Sequence, residues 1–167
     1  MQKFISFQQA QELFSKGESM PFLVKLQEET ENELHVTILG AAVGKEVKAG
    51  GSCGEPVLDQ LLADCQPIVP DPSRRFEVIF EDYILYQVRN ESYATYDASA
   101  EGRGTYLMQF EKSRFLDYFL TVTDACRLED GSFYPAPWKH YAVFTQNHVI
   151  DVIAQAEPRV LYPKGSL

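Results

Sequence analysis

The sequence predicts an α+β fold: a single domain over residues 1–167, with a mostly antiparallel sheet and about three short helices. Three observations predict it. Segments with apolar residues at every second position recur along the chain, and polar or glycine-containing turns join most of them. Segments with helical spacing are short, two ahead of the longest β signal and one after it. Strand and helix do not alternate regularly, which argues against a doubly wound parallel sheet. The size agrees, since 167 residues of which 45% are hydrophobic can build a core without staples.

The first helix is read from "ISFQQAQELFSKG". Ser6 and Gln9 have capping-box spacing, Ala10, Leu13 and Phe14 share a face, and Gly17 is a suitable stop. "PFLVKLQEE" and "ELHVTILG" predict a β-hairpin of residues 22–28 with 33–40, because Leu34, Val36 and Ile38 alternate with His35, Thr37 and Leu39. Residues 40–54 hold five of the ten glycines and predict a flexible loop. "EPVLDQLLADC" predicts a second helix, with Pro56 in its first turn and an apolar stripe from Val57 to Cys65. Residues 66–73 carry Pro67, Pro70 and Pro72, so they predict a connector of extended character that no helix can cross.

"RRFEVIFEDYILYQVRNESYATYD" is the longest β signal. Phe76, Val78, Phe80, Ile84, Tyr86 and Val88 share one parity, interrupted by Asp82. One central strand, or two strands bent near Glu81–Asp82, gives this pattern. "ASAEGRG" predicts a turn and "TYLMQFE" the next strand. Ser113 caps a third helix, "RFLDYFLTVT", with Phe115, Leu116, Phe119 and Leu120 toward the core. "RLEDGSFYPAPW" predicts a loop, and "HYAVFTQ" with "VIDVIAQ" a closing hairpin turned at Asn147–His148.

Charge narrows the function classes. Fifteen Lys and Arg against 24 Asp and Glu give a net charge of −9, which argues against a nucleic-acid partner and permits a basic protein partner. Cys53, Cys65 and Cys126 are odd in number with no Cys-x-x-Cys pair, which predicts reduced thiols. There is no apolar segment of signal-peptide or membrane-spanning length, so the expected location is the cytoplasm, with no membrane partner.

No chemical motif predicts a cofactor or a metal. "GAAVGKE" has three residues between its glycines where a phosphate loop needs four, and Glu46 stands where the magnesium-binding hydroxyl belongs. His35, His140 and His148 sit in separate elements without zinc-ligand spacing. A Cys53 or Cys126 nucleophile with His140 has no local signature. The denser cluster is Arg89, Asn90, Glu91, Ser92 and Tyr93, with Tyr96 and Asp97, at the end of the long β signal. It reads as a polar network that secures the sheet. As a cleft around Arg89 and Glu91, it would serve a small enzyme or ligand-binding domain, with Glu91 as base and Arg89 as anchor. Asp151 in "VIDVIA" is costly on an apolar strand unless paired, and Arg89 or Arg114 is its natural partner. Tyrosines and Trp138 crowd between residues 83 and 141, and "FYPAPWKHY" offers Tyr134 and Trp138 as interface anchors.

"FEDYILYQVRNESYATYD", "SRFLDYF" and "KHYAVFTQNHVIDVIAQAEPRV" together resemble a family of small uncharacterised bacterial proteins associated with immunity partners of polymorphic toxins. The resemblance spans residues 76–160. It implies that Asn90, Glu91, Ser92, Tyr93, Asp117 and Asp151 are framework positions, and it assigns no catalytic residue. The leading expectation is a non-enzymatic inhibitor of a basic toxin or effector, contacting it through Glu101, Glu129, Asp130, Tyr134 and Trp138. A homodimer through the aromatic patch is a further expectation.

Overall fold

The computed structural model describes residues 2–16, 19–44, 55–57, 60 and 66–163. In chain order the elements are β1 (Gln2–Ser6), α1 (Phe7–Ser15), β2 (Phe22–Thr30), β3 (Glu33–Val43), β4 (Ile68–Phe80), β5 (Tyr83–Asn90), β6 (Glu101–Gly104) and β7 (Leu107–Lys112). Then come α2 (Arg114–Val122), β8 (Cys126–Arg127), β9 (Phe133–Tyr134), β10 (Lys139–Phe144), β11 (His148–Ala154) and β12 (Arg159–Pro163). A single 3₁₀ turn, Glu91–Tyr93, follows β5. The fold is α+β with two five-stranded antiparallel sheets, ordered β1-β12-β4-β3-β2 and β5-β11-β10-β7-β6, and a two-stranded one, β8-β9, largely within the segment expected as a loop. It has two α-helices among the described residues. The helix expected at 55–65 falls for the most part outside them, as do Cys53, Cys65 and most of the segment 40–54.

The alternating patterns place the core between the sheets. Leu34, Val36 and Ile38 of β3 and Phe76, Val78 and Phe80 of β4 are buried against Tyr141 and Val143 of β10 and Ile150, Val152 and Ala154 of β11. α1 adds Phe7, Ala10 and Phe14. The expected capping box is present: Ser6 Oγ accepts from Gln9 N–H at 3.1 Å, and Gln9 Oε1 accepts from Ser6 N–H at 3.0 Å. Gln11, which helical spacing does not single out, is buried, and its amide donates to the carbonyls of Arg103 and Leu107. It joins α1 to the β6–β7 hairpin.

The long β signal is two strands, and they lie in different sheets. Glu81 and Asp82 turn the chain, Asp82 in the left-handed region at φ 52. β4 pairs with β12 on one side of this corner, and β5 with β11 on the other. One two-stranded ribbon therefore bends from sheet to sheet, a corner typical of crossed sheet packings. The register shift between Ile153 and Ala154 lies beside it. It turns Tyr83 and Tyr86 toward the main core, while Ile84 and Leu85 face α2.

Four expectations change. Residues 68–71, expected as a connector, form the outer half of β4 and pair with Gly40–Val43, which extend β3 instead of opening a loop. The prolines fit because β12 reaches only Glu77–Ile79, so this half of β4 lies at an open edge among the described residues. Glu101–Gly104, expected as a turn, is edge strand β6. β1 and β12, which no alternation announces, pair with each other from Gln2↔Pro163 to Ser6↔Arg159. Leu120, expected in the core, is exposed, because α2 turns Phe115 and Phe119 inward.

Candidate functional site

The second sheet has two faces, and the site lies on the one away from the main core. Register brings together Gln87 and Arg89 of β5, Val149 and Asp151 of β11, His140, Ala142 and Phe144 of β10, and Met108 and Phe110 of β7. α2 covers one half of this face, packing Phe115 and Phe119 over Ile153 and Trp138. The other half is left as a cavity of about 640 Å³. Its walls are Ala94, Thr95, Tyr96, Asp97 and Ala100 from the segment after the 3₁₀ turn, Thr105 and Tyr106, the first two turns of α2, and Met20.

A continuous polar chain crosses its floor. Arg89 donates to Asp151 Oδ2 through Nη2 at 2.9 Å and Nε at 3.2 Å. Gln87 Nε2 donates to the same oxygen at 2.9 Å. His140 Nε2 lies 3.1 Å from Asp151 Oδ1, and His140 Nδ1 lies 2.8 Å from Ser113 Oγ. Ser113 Oγ in turn accepts the Leu116 N–H at 3.1 Å and caps α2. Burial alone would raise the Asp151 carboxyl; hydrogen bonds from His140 and Gln87, with the nearby positive charge, outweigh it and hold the group below its ordinary value. Asp151 is thus an anion satisfied on both oxygens, with the Arg89 partnership that its place on an apolar strand requires.

The wall is pinned as firmly. Asp97 accepts the Arg114 N–H at 2.8 Å and the Ser99 N–H and Oγ–H at 3.0 and 2.6 Å. These hydrogen bonds, the Ser99 hydroxyl foremost, bring its carboxyl down to about 2. The segment after β5 is tied in this way to the N-terminus of α2.

Ser113, His140 and Asp151 follow one another as in a nucleophilic triad, but the geometry serves another end. The Ser113 hydroxyl is buried and committed to the helix cap. The Arg114 N–H, where an oxyanion would need a donor, is bound to Asp97. The chain clamps α2 onto the sheet and fixes the cavity floor. The Cys126–His140 pair, for which the sequence carries no local signature, does not form, since Cys126 is exposed and both His140 nitrogens are engaged.

On the outer face of the first sheet, ligand atoms of Glu29, His35 and Glu77 lie within 4.8 Å of one another. His35 Nε2 is 2.6 Å from Glu33 and Nδ1 is 3.0 Å from Glu77. Burial lowers the imidazole pKa, but these carboxylates overcome it and raise it above its ordinary value. When the imidazole is protonated, each ring N–H has its own carboxylate acceptor, Nε2 at Glu33 and Nδ1 at Glu77.

Of the polar residues expected to form one network, Arg89 and Asp151 do so, joined by Gln87, His140 and Ser113. Asn90 instead caps the 3₁₀ turn by accepting Ser92 N–H at 3.0 Å. Glu91 lines the cavity. Ser92 and Asp117 are exposed and outside the network, and Tyr93 is 85% exposed and does not line the cavity. Arg114 pairs with Asp97 rather than Asp151. Among the expected partner contacts, Glu101, Glu129, Asp130 and Tyr134 are exposed. Trp138 is not: it is 6% exposed, with Phe119 edge-on at 5.3 Å and Phe133 at 4.8 Å. Its apolar bulk completes the small core beneath α2, which removes it as a surface anchor.

No helix among the described residues is long and apolar enough to cross a membrane. Comparisons with protein-family models, with curated proteins and with solved structures give no match to this chain.

Proposed function

We infer that this protein is a small-molecule-binding domain whose ligand occupies the cavity on the second sheet. The observation that carries this reading is the cavity itself, about 640 Å³, within the size range of small-molecule sites. Its lining suits an amphipathic molecule. Met20, Met108, Phe110 and Phe144 offer apolar and aromatic surface, while Gln87, Arg89 and Glu91 gather polar groups along the β5 side. The buried hydrogen-bonded floor is the kind of support that holds a site in shape without its ligand.

The test is a saturation-transfer NMR screen of a fragment library against the wild type and Met108→Trp. The larger ring would fill the cavity from β7 without entering the main core. The expected result is a set of hits lost in the variant, with thermal unfolding of the variant near wild type. A screen with no hits, or hits that all survive the substitution, overturns the reading.

A second reading is an immunity-type inhibitor of a basic toxin or effector. Its support is the exposed set Glu129, Asp130 and Tyr134 around the β8–β9 turn, with Glu101 on β6 and the net charge of −9. Charge complementarity of this kind speeds encounter and fades with salt. Under this reading, Tyr134→Ala weakens binding to a basic partner protein.

A further inference from the structure

We propose that the ligand of this cavity is an organic cation, an aryl or alkyl amine whose ammonium sits at Glu91 and whose body lies among Tyr96, Phe110 and Tyr118. The proposal rests on the reading of the cavity as a ligand site and names the chemistry it selects.

The first ground is how charge is paired in the lining. It contains two guanidinium groups and three carboxylates. Arg89 is held by Asp151 at 2.9 Å, and Arg114 by Asp97, through its Nε at 3.5 Å and its backbone N–H at 2.8 Å. Both of these carboxyls lie below their ordinary values, so they are ionised at neutral pH. An anionic ligand would have to share a guanidinium already engaged by a carboxylate. Glu91 is the carboxylate left over: its side chain has no hydrogen bond or ion pair among the described residues, and it lines the cavity. A positive ligand group gains a partner there and displaces nothing.

The second ground is the walls. Tyr96, Phe110 and Tyr118 line the cavity, with Tyr96 and Tyr118 at its solvent side, 87% and 52% exposed. Ring faces carry negative potential and attract ammonium groups, at exposed sites as well as buried ones. Such rings also suit the apolar body of an arylalkyl amine. The third ground is long-range: a net charge of −9 raises the local concentration of cations and opposes anions.

The experiment is calorimetric titration of the full chain with three probes of one shape: 4-phenylbutylamine, 4-phenylbutan-1-ol and 4-phenylbutyrate. The amine is expected to bind about tenfold more tightly than the alcohol, and the acid most weakly. Glu91→Gln is expected to remove most of the amine's advantage and leave the alcohol unchanged. Glu91 is exposed, so the variant keeps the fold, and its unfolding curve checks this. Equal binding of amine and alcohol, a preference for the acid, or an amine advantage that survives Glu91→Gln overturns the cation while leaving the cavity a ligand site. If none of the three binds and the fragment screen is also empty, the cavity reading fails and the cation with it.

Discussion

Asp151 is the residue on which most of the site depends. Its carboxylate receives Arg89 and Gln87 on one oxygen and His140 on the other, at a position buried to 2% exposure. Removing one member of a buried charged set leaves the others unsatisfied, so Asp151→Asn is expected to cost about 3 kcal/mol at neutral pH. Because the folded carboxyl lies below its ordinary value of 3.8, its contribution is present above that value. It is lost as pH falls through the lower, folded value. Urea unfolding of wild type and variant across the acid range checks this: the gap between them should hold near neutrality and close in acid. A gap that persists unchanged into strong acid would falsify the assignment. The pairing was legible in "VIDVIA", because an acid flanked by buried apolar residues demands a partner. His140 as the second partner was not, since nothing local to "KHYAVF" marks it as facing Asp151.

The two helices differ in what their caps do. Ser6 caps α1 at the surface through a reciprocal box with Gln9, and Ser6→Ala should cost about 1 kcal/mol. Ser113 caps α2 and also engages the buried His140 Nδ1. Ser113→Ala therefore loses a cap and leaves a buried nitrogen without its partner, and is expected to cost about 2–3 kcal/mol. Thermal unfolding of the two variants side by side tests the difference; equal losses would mean that the His140 contact adds nothing. Both caps could be read from sequence because a cap involves residues three apart. The extension of β3 to Val43 and the start of β4 at Ile68 could not. Glycines and prolines there signal a loop, and cross-strand pairing overrides that local preference.

At the scale of the molecule, Trp138 separates the two ways of reading the aromatic segment. Beneath α2 it is a packing residue, in edge contact with Phe119 and Phe133. Trp138→Ala is expected to cost about 3–5 kcal/mol of stability through the cavity it leaves. A surface anchor would show a loss of partner binding with unfolding left near wild type, and that outcome would overturn the burial. The bent ribbon matters at the same scale. Because β4–β5 and β11–β12 turn the corner together, the chain that packs the main core also carries Arg89 and Asp151 onto the opposite face of the second sheet.

The sequence by itself determined the α+β class, the first and last helices with their caps, the β2–β3 and β10–β11 hairpins, and the need to pair Asp151. Each of these depends on side-chain period, on capping within a turn of helix, or on a short link between neighbouring strands. Only the tertiary structure decided that the long β signal divides between two sheets, that Trp138 is covered, and that Gln87, Arg89, Ser113, His140 and Asp151 meet under a cavity. Arg89 and Gln87 reach Asp151 across 62 and 64 residues of chain. Contacts of that separation are set by strand register, and a slip of one residue would send every one of these side chains to the other face.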